Sequence, residues 1–158
     1  MTAPVVRAAQ PEEAAEIAAL LRRSITELCA ADHRGDPAAL AEWLANKTPE
    51  AVAAWIADPA QHLVVAEIDG RLAGVAAAHD DGTILLNYVS PRQSRRGAST
   101  AGLAVLEAWL RAKGVREARL ESTATAHDFY RAHGFRDIGP PVAWRGADAY
   151  PMRKGLAP

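Results

Sequence analysis

Three places in this chain hold residue types that could do chemistry. The first is N-Y-V-S-P-R-Q-S-R-R-G-A-S-T-A-G-L, residues 87–103. An apolar run stops at Pro91, a polar stretch rich in arginine follows, and a helical pattern then begins. A strand that feeds a helix leaves about four backbone N–H groups without partners at the helix start. Together with the helix dipole they attract an anion. Gly97 carries no Cβ, so a ligand can approach the main chain closely. Arg95 and Arg96 add positive charge, and Ser99 and Thr100 add hydroxyls. A pyrophosphate fits this combination. A plain basic turn with Ser99 as the helix cap fits it equally. The stretch is neither a P-loop nor a dinucleotide fingerprint, because neither glycine pattern is present.

The second place is E-L-C-A-A-D-H, 27–33, which offers Glu27, Asp32 and His33. Its histidine titrates near neutrality and could take a proton; it serves equally in a polar helix-end loop. The third is T-A-T-A-H-D-F-Y-R-A-H-G-F, 123–135. Its Tyr130 phenol is protonated at pH 7 and is a possible proton donor.

These places need elements to hold them. Val5–Ala8 reads as a first strand. Pro11, Glu12 and Glu13 start a helix whose apolar face (Ile17, Leu20, Leu21, Leu28) runs to about Cys29. A break over 31–37 follows. Asp36-Pro37 and Thr48-Pro49 then cap two shorter helices. Residues 62–68, 71–79 and 83–89 read as three strands of a meander, turning at Asp69-Gly70 and at Asp80–Gly82. A helix is expected from about Ser99 to Lys113, ended by Gly114. A strand over 118–122, a short helix over 125–133, an irregular stretch and a last strand in Y-P-M-R-K-G-L complete the chain. Helices on a mostly antiparallel sheet make it α+β, or mixed α/β.

Composition narrows the function classes. With 158 residues, one domain over 1–158 is expected. Formal net charge is −1, which argues against a general nucleic-acid binder. One cysteine excludes a disulfide framework and a multi-thiolate metal site, so no metal is expected. No apolar stretch is long enough to span a bilayer, and no leader pattern opens the sequence, so no membrane partner and a cytoplasmic location are expected. The alanine-rich, arginine-over-lysine composition fits a bacterial source. The tryptophans at 43, 55, 109 and 144 fit core packing or a homodimer interface.

The pattern V-x-P-x-x-x-x-R-G-x-S, then helix, strand and S-T-A-T-A-x-x-F-Y-x-x-x-G-F, resembles the GNAT acyltransferase superfamily (GCN5-related N-acetyltransferases). The resemblance covers roughly residues 60–138. N-Y-V-S-P, G-x-S, S-T-A-T-A-x-x-F-Y, E-L-C-A-A-D-H and N-K-T-P together resemble one bacterial subgroup. It implies a central, mostly antiparallel sheet of about six or seven strands flanked by about four or five helices, splayed between strands 4 and 5. It implies acetyl-CoA as co-substrate, with the pyrophosphate on Ser94, Arg95, Arg96, Gly97, Ala98, Ser99 and Thr100. Ser94 stands where relatives carry Gln or Arg, which removes one long side chain near the phosphates. Main chain at Asn87, Tyr88 and Val89 would hold the pantetheine arm, and Thr123 would lie beside it. Tyr130 matches the family's proton donor to the leaving thiolate, and Asn87 could hold a water or an amine. Glu27, Asp32 and His33 fall on the acceptor-site wall, where acidic side chains suit a cationic amine.

The activity implied is acetyl transfer to a primary amine of a small molecule or protein, direct and within a ternary complex. The general base stays open among Glu67, Glu27, Asp32 and His33, since strand 83–89 contains no acid. A longer-chain or O-acyltransferase is the alternative among enzymes. A catalytically silent acyl-CoA sensor, or a protein-docking module on this scaffold, is the alternative outside them.

Overall fold

In the computed structural model the described residues are 2–144 and 146–157. The order is β1 (Val5–Ala8), α1 (Ala14–Leu28), α2 (Ala30–His33), α3 (Pro37–Leu44), α4 (Pro49–Ala57), β2 (Gln61–Ile68), β3 (Arg71–His79), β4 (Ile84–Val89), α5 (Ala98–Ala112), β5 (Glu117–Ser122), α6 (His127–Ala132), β6 (Arg136–Asp137), β7 (Val142–Trp144) and β8 (Ala147–Gly155). Single 3-10 turns precede α1 and follow β4. The α/β character and the meander match the sequence expectation. β6 and β7 are short additions in the stretch read as irregular, and β8 starts at Ala147, before Tyr150. The expected break over 31–37 first makes one helical turn, α2, and then breaks at Arg34 and Gly35, both left-handed.

Local chemistry sets the helix starts. The Asp36 carboxylate accepts from Ala39 N at 3.3 Å, and the Thr48 hydroxyl accepts from Ala51 N at 3.1 Å. Each is followed by a proline that gives up no needed donor. At the first turn, Glu13 accepts from Gln10 N at 2.8 Å and pairs with Arg7 at 2.7 Å. Arg7 also reaches Glu67 at 3.0 Å, tying β1 and β2 to the start of α1.

Strands β1 to β4 form one antiparallel sheet in that order, and β5, β8 and β6 form another, with β7 on β8. The two meet at one parallel bridge, Thr83 to Arg119, beside a hydrogen bond of 2.9 Å from Arg119 N to Gly82 O. No further ladder joins β4 to β5 among the described residues. Both strands leave this junction in the same direction, so the sheet opens toward their C-terminal ends. That is the expected splay. β4 is also bulged, since its register shifts opposite Ala77 and Ala78. A bulge bends and re-aims a strand.

Two helical layers cover the sheet. Ile17, Leu20 and Leu21 of α1, with Val52 of α4, pack on Leu63, Val65, Val75 and Ala77. On the other face, Leu103, Leu106 and Leu110 of α5 bury against Val64, Ala76 and Ala78 of one half-sheet and Leu120 and Met152 of the other. α5 comes close to β3 because Gly102 sits over Ala76, where an added Cβ would be 3.2 Å from Ala76 Cβ.

Gly82 holds the junction. Its φ is +102°, and a Cβ built there would lie 2.4 Å from the Glu117 carbonyl oxygen. Gly82→Ala should destabilise the fold by roughly 2–4 kcal/mol, through a left-handed alanine and a backbone clash. Gly139→Ala, which meets open space, should cost almost nothing. Thermal unfolding followed by circular dichroism separates the two; equal Tm values would remove the special role given to Gly82.

Candidate functional site

At the end of β4, Ser90 N donates to Ala73 O at 2.8 Å, and Pro91 starts a short turn. Arg95 and Gly97 are both left-handed, at φ 61° and 90°. Gly97 caps α5 without any side-chain cap hydrogen bond, unlike Asp36 at α3 and Thr48 at α4. The first amides of α5 therefore face outward without a capping oxygen from Gly97.

The side chains divide the work. Arg96 donates to Gln93 Oε1 at 2.7 Å and lies 3.7 Å from Asp69 on the β2–β3 turn. It braces the loop. Arg95 is exposed, and Ser94 and Ser99 are half-buried. The Thr100 hydroxyl sits 3.1 Å from His133 Nε2, and His133 Nδ1 lies 2.7 Å from Phe129 O. With Nδ1–H donating to that carbonyl, Nε2 accepts from Thr100. Thr100 thus ties α5 to the end of α6.

Between β4 and β5 lies a narrow gap of about 50 Å³, lined by Asn87, Tyr88, Glu121, Thr123 and Tyr130 among others. The Asn87 amide donates to Ser99 O at 3.4 Å and lines the gap together with the Tyr130 phenol. Tyr130 is only 7% exposed and packs edge-on against Phe129 at 5.2 Å and Phe135 at 5.5 Å. Burial pushes its phenol up to about 12, and the neighbouring Asn87 amide offsets part of that. Tyr130 and Asn87, far apart in sequence, meet here.

On the α1 side the gap widens into a cavity of about 630 Å³. Trp43, Lys47, Trp55, Tyr88, Glu121 and Trp144 contribute to its wall. Tyr88 is half-buried and lines both the gap and the cavity. Burial raises its phenol well above the ordinary tyrosine range, and Cys29 adds to the rise. The neighbouring Trp43 indole offsets little, since Trp43 Nε1 finds no partner within hydrogen-bond distance among the described residues. The Cys29 thiol is buried and pushed up to about 12, first by burial and then by Asp32. A thiol in that state is no nucleophile at neutral pH.

Of the four side chains considered for the acceptor wall or as base, only Asp32 lines the wide cavity. His33 is buried, with Nε2 3.0 Å from Ile25 O and 3.3 Å from Thr26 O, while Nδ1 accepts from Gly35 N at 3.0 Å. Both ring nitrogens are spent on main chain, which favours the helix-end role over contact with an amine. Asp32 is buried too, and its carboxylate accepts from Ala124 N at 2.6 Å, from Thr125 Oγ1 at 2.5 Å and from Thr125 N at 3.4 Å. Glu27 is exposed on α1 and lines neither cavity, and Glu67 is held by Arg7 at the far side of the sheet. Thr123 turns its hydroxyl to accept from Ala126 N at 3.1 Å.

Sequence reasoning passed over Glu121, Lys47 and the Tyr88 side chain. Glu121 was findable, since Leu120 and Ser122 are inward residues of an alternating strand, which sends Glu121 to the opposite face. Lys47 and Tyr88 take their places from helix and strand packing that no local pattern encodes.

Three comparisons bear on this arrangement. The family model described as "Acetyltransferase (GNAT) domain" matches residues 29–156. The crystal structure of a GCN5-related N-acetyltransferase from Rhodopseudomonas palustris is 26% identical, with a TM-score of 0.87 over 99% of this chain and 98% of that one. The fold is shared with PaiA N-acetyltransferase from Thermoplasma acidophilum in complex with coenzyme A, at 18% identity, TM-score 0.79, and 98% and 99% coverage. It is shared also with YncA from Salmonella typhimurium with its cofactor acetyl-CoA, at 20% identity, TM-score 0.68, and 99% and 96% coverage. No curated protein matches by sequence.

Tyr130 gives the site a pH signature. Its folded value, about 12, lies above an unfolded value near 10, so the native state holds its proton more tightly. The stabilisation is complete below pH 10 and is lost as pH rises through 12. Between those limits the unaltered protein should lose stability with pH more steeply than Tyr130→Phe, by up to about 1.4 kcal/mol per pH unit. Urea unfolding at pH 9, 10 and 11 measures it. Parallel slopes would mean that the phenol is not buried in solution.

Proposed function

The chain belongs to the GNAT acetyltransferase family, and from that premise we propose that it moves an acetyl group from acetyl-CoA to a primary amine. The acceptor is a small molecule or a protein amine, and transfer is direct within a ternary complex. One observation carries this reading: a sheet joined at a single bridge and open beyond it, with an uncapped helix start at the mouth and a buried phenol inside.

The residues fit the co-substrate. Outward amides at Gly97–Thr100, with the exposed Arg95, would receive the pyrophosphate. The edge of β4 at Asn87–Val89 faces no partner strand across the gap among the described residues and offers main-chain groups to the pantetheine amides. Ser94 leaves room there and supplies a hydroxyl in place of a long side chain.

Acetyl transfer needs a neutral amine, an electrophilic carbonyl and a protonated leaving thiol. The amine nitrogen bonds to the carbonyl carbon, the carbon–sulfur bond breaks, and sulfur takes the Tyr130 proton. The ammonium gives one proton toward the cavity side to become the neutral amine, and the second proton it loses as the amide forms returns Tyr130 to its phenol. Glu121 lines both the gap and the cavity and is the carboxylate placed to accept the first, directly or through water. Cys29, buried and protonated, supports transfer without an acyl-enzyme.

Calorimetric titration with acetyl-CoA and thiol release across a panel of amines test the reading together. Saturable binding with release on at least one amine is expected. Binding without any release would favour a silent acyl-CoA sensor, and no binding would end both readings. Tyr130→Phe should lower kcat by about 100-fold, the scale of a lost general acid, with KM for acetyl-CoA little changed. Unchanged kcat would remove the donor role.

A further inference from the structure

Asp32 makes the longest-range polar link in the site, because its carboxylate grips a turn 92 and 93 residues away in sequence. Oδ1 takes Ala124 N, and Oδ2 takes the hydroxyl and the amide of Thr125. The residue is 5% exposed. Three donors on one buried carboxylate are charge-assisted contacts, stronger than neutral ones.

Both ends of this link are held. On one side, Asp32 N donates to Cys29 O at 2.9 Å, and the His33 ring is fastened to the end of α1 and to Gly35. α1 itself packs on the sheet that contains β4. On the other side, the gripped turn leads straight into α6. That helix has six residues and no side-chain cap at Ala126. Tyr130 N donates to Ala126 O at 3.1 Å, so any shift of the turn passes one helical turn on to the phenol. The phenol and Asn87 of β4 line the same gap. The circuit closes across the gap where no strand pairing does so.

We propose that Asp32 is a positioning residue: it clamps the 123–125 turn and thereby holds the Tyr130 phenol at Asn87. The role rests on the acetyl-transfer reading with Tyr130 as proton donor. It gives Asp32, which also lines the cavity, a role beyond direct contact with the acceptor, since both of its carboxylate oxygens accept from the 124–125 turn.

Asp32→Asn and Thr125→Val test it, each alone and combined with Tyr130→Phe. Each single change should lower kcat by about 10-fold or more through a displaced donor, with KM for acetyl-CoA and amine within about 3-fold. In the Tyr130→Phe background the same changes should cost less than about 2-fold, because residues acting as a unit are non-additive. Hydrogen–deuterium exchange over residues 123–130 should quicken in both, with α1 unaffected. Losses that multiply fully with Tyr130→Phe would overturn the proposal. So would a raised KM for amine with kcat kept, which would make Asp32 an acceptor ligand. Should Asp32→Asn fail to fold, Thr125→Val, which removes one hydroxyl, decides alone. Absence of turnover by the unaltered protein would sink acetyl transfer and this role together, whereas turnover with multiplying losses sinks this role only.

Discussion

The structure depends on two half-sheets that touch at one point. Gly82 O and Arg119 N make that contact, and β4 and β5 part beyond it. A parallel pair left open forgoes several ladder hydrogen bonds, each worth about 1 kcal/mol net. The α5 face supplies what offsets them. Leu103, Leu106 and Leu110 are almost wholly buried between both halves, and each contributes roughly 2 kcal/mol. Three leucines at that scale more than offset the few hydrogen bonds that residues 120–122 of β5 could have made. The halves share a core on one face and keep a cavity on the other. Filling the gap with side chains would add stability and remove the site.

The basic loop obeys the same logic at smaller scale. A non-glycine residue at φ 61°, Arg95, costs about 1 kcal/mol or more. Arg96 helps to hold that shape through Gln93 and Asp69, with no ligand needed. One arginine thus spends its charge on preorganisation, and the other keeps its charge exposed to solvent. The sequence shows two equivalent arginines, and only the surroundings make them different.

What could be read from the sequence was local. Asp36 and Thr48 announce their helices because the cap, the proline and the first turn lie within four residues. The meander follows from alternation and from Asp69-Gly70. The splay came from motif resemblance, and Gly82, Thr83 and Arg119 carry no local sign of the bridge. Asp32 and His33 stayed open between two readings for a related reason. Polar residues beside a helix end fit a substrate wall and a structural clamp equally, and the deciding partners lie at Ala124 and Thr125, or in carbonyls freed at the end of α1. β6 and β7 are too short for any periodicity to show.

One tension within the site resolves in a way that binds the mechanism to burial. A phenol near 12 is a poor donor to a thiolate whose ordinary value is about 8.5. Taken at face value, the proton transfer would be uphill by about 3.5 units, close to 5 kcal/mol. Cys29 shows what this protein does to a thiol: burial, with Asp32 adding its charge, carries it up to about 12, level with Tyr130. A leaving thiolate enclosed in the same gap loses water in the same way, and its affinity for a proton rises toward that of the phenol. In the proposed reaction the mismatch would therefore shrink. The burial that makes Tyr130 a weak acid would also make its partner a stronger base, so a gap opened by a displaced α6 would lose part of that match even with every side chain present.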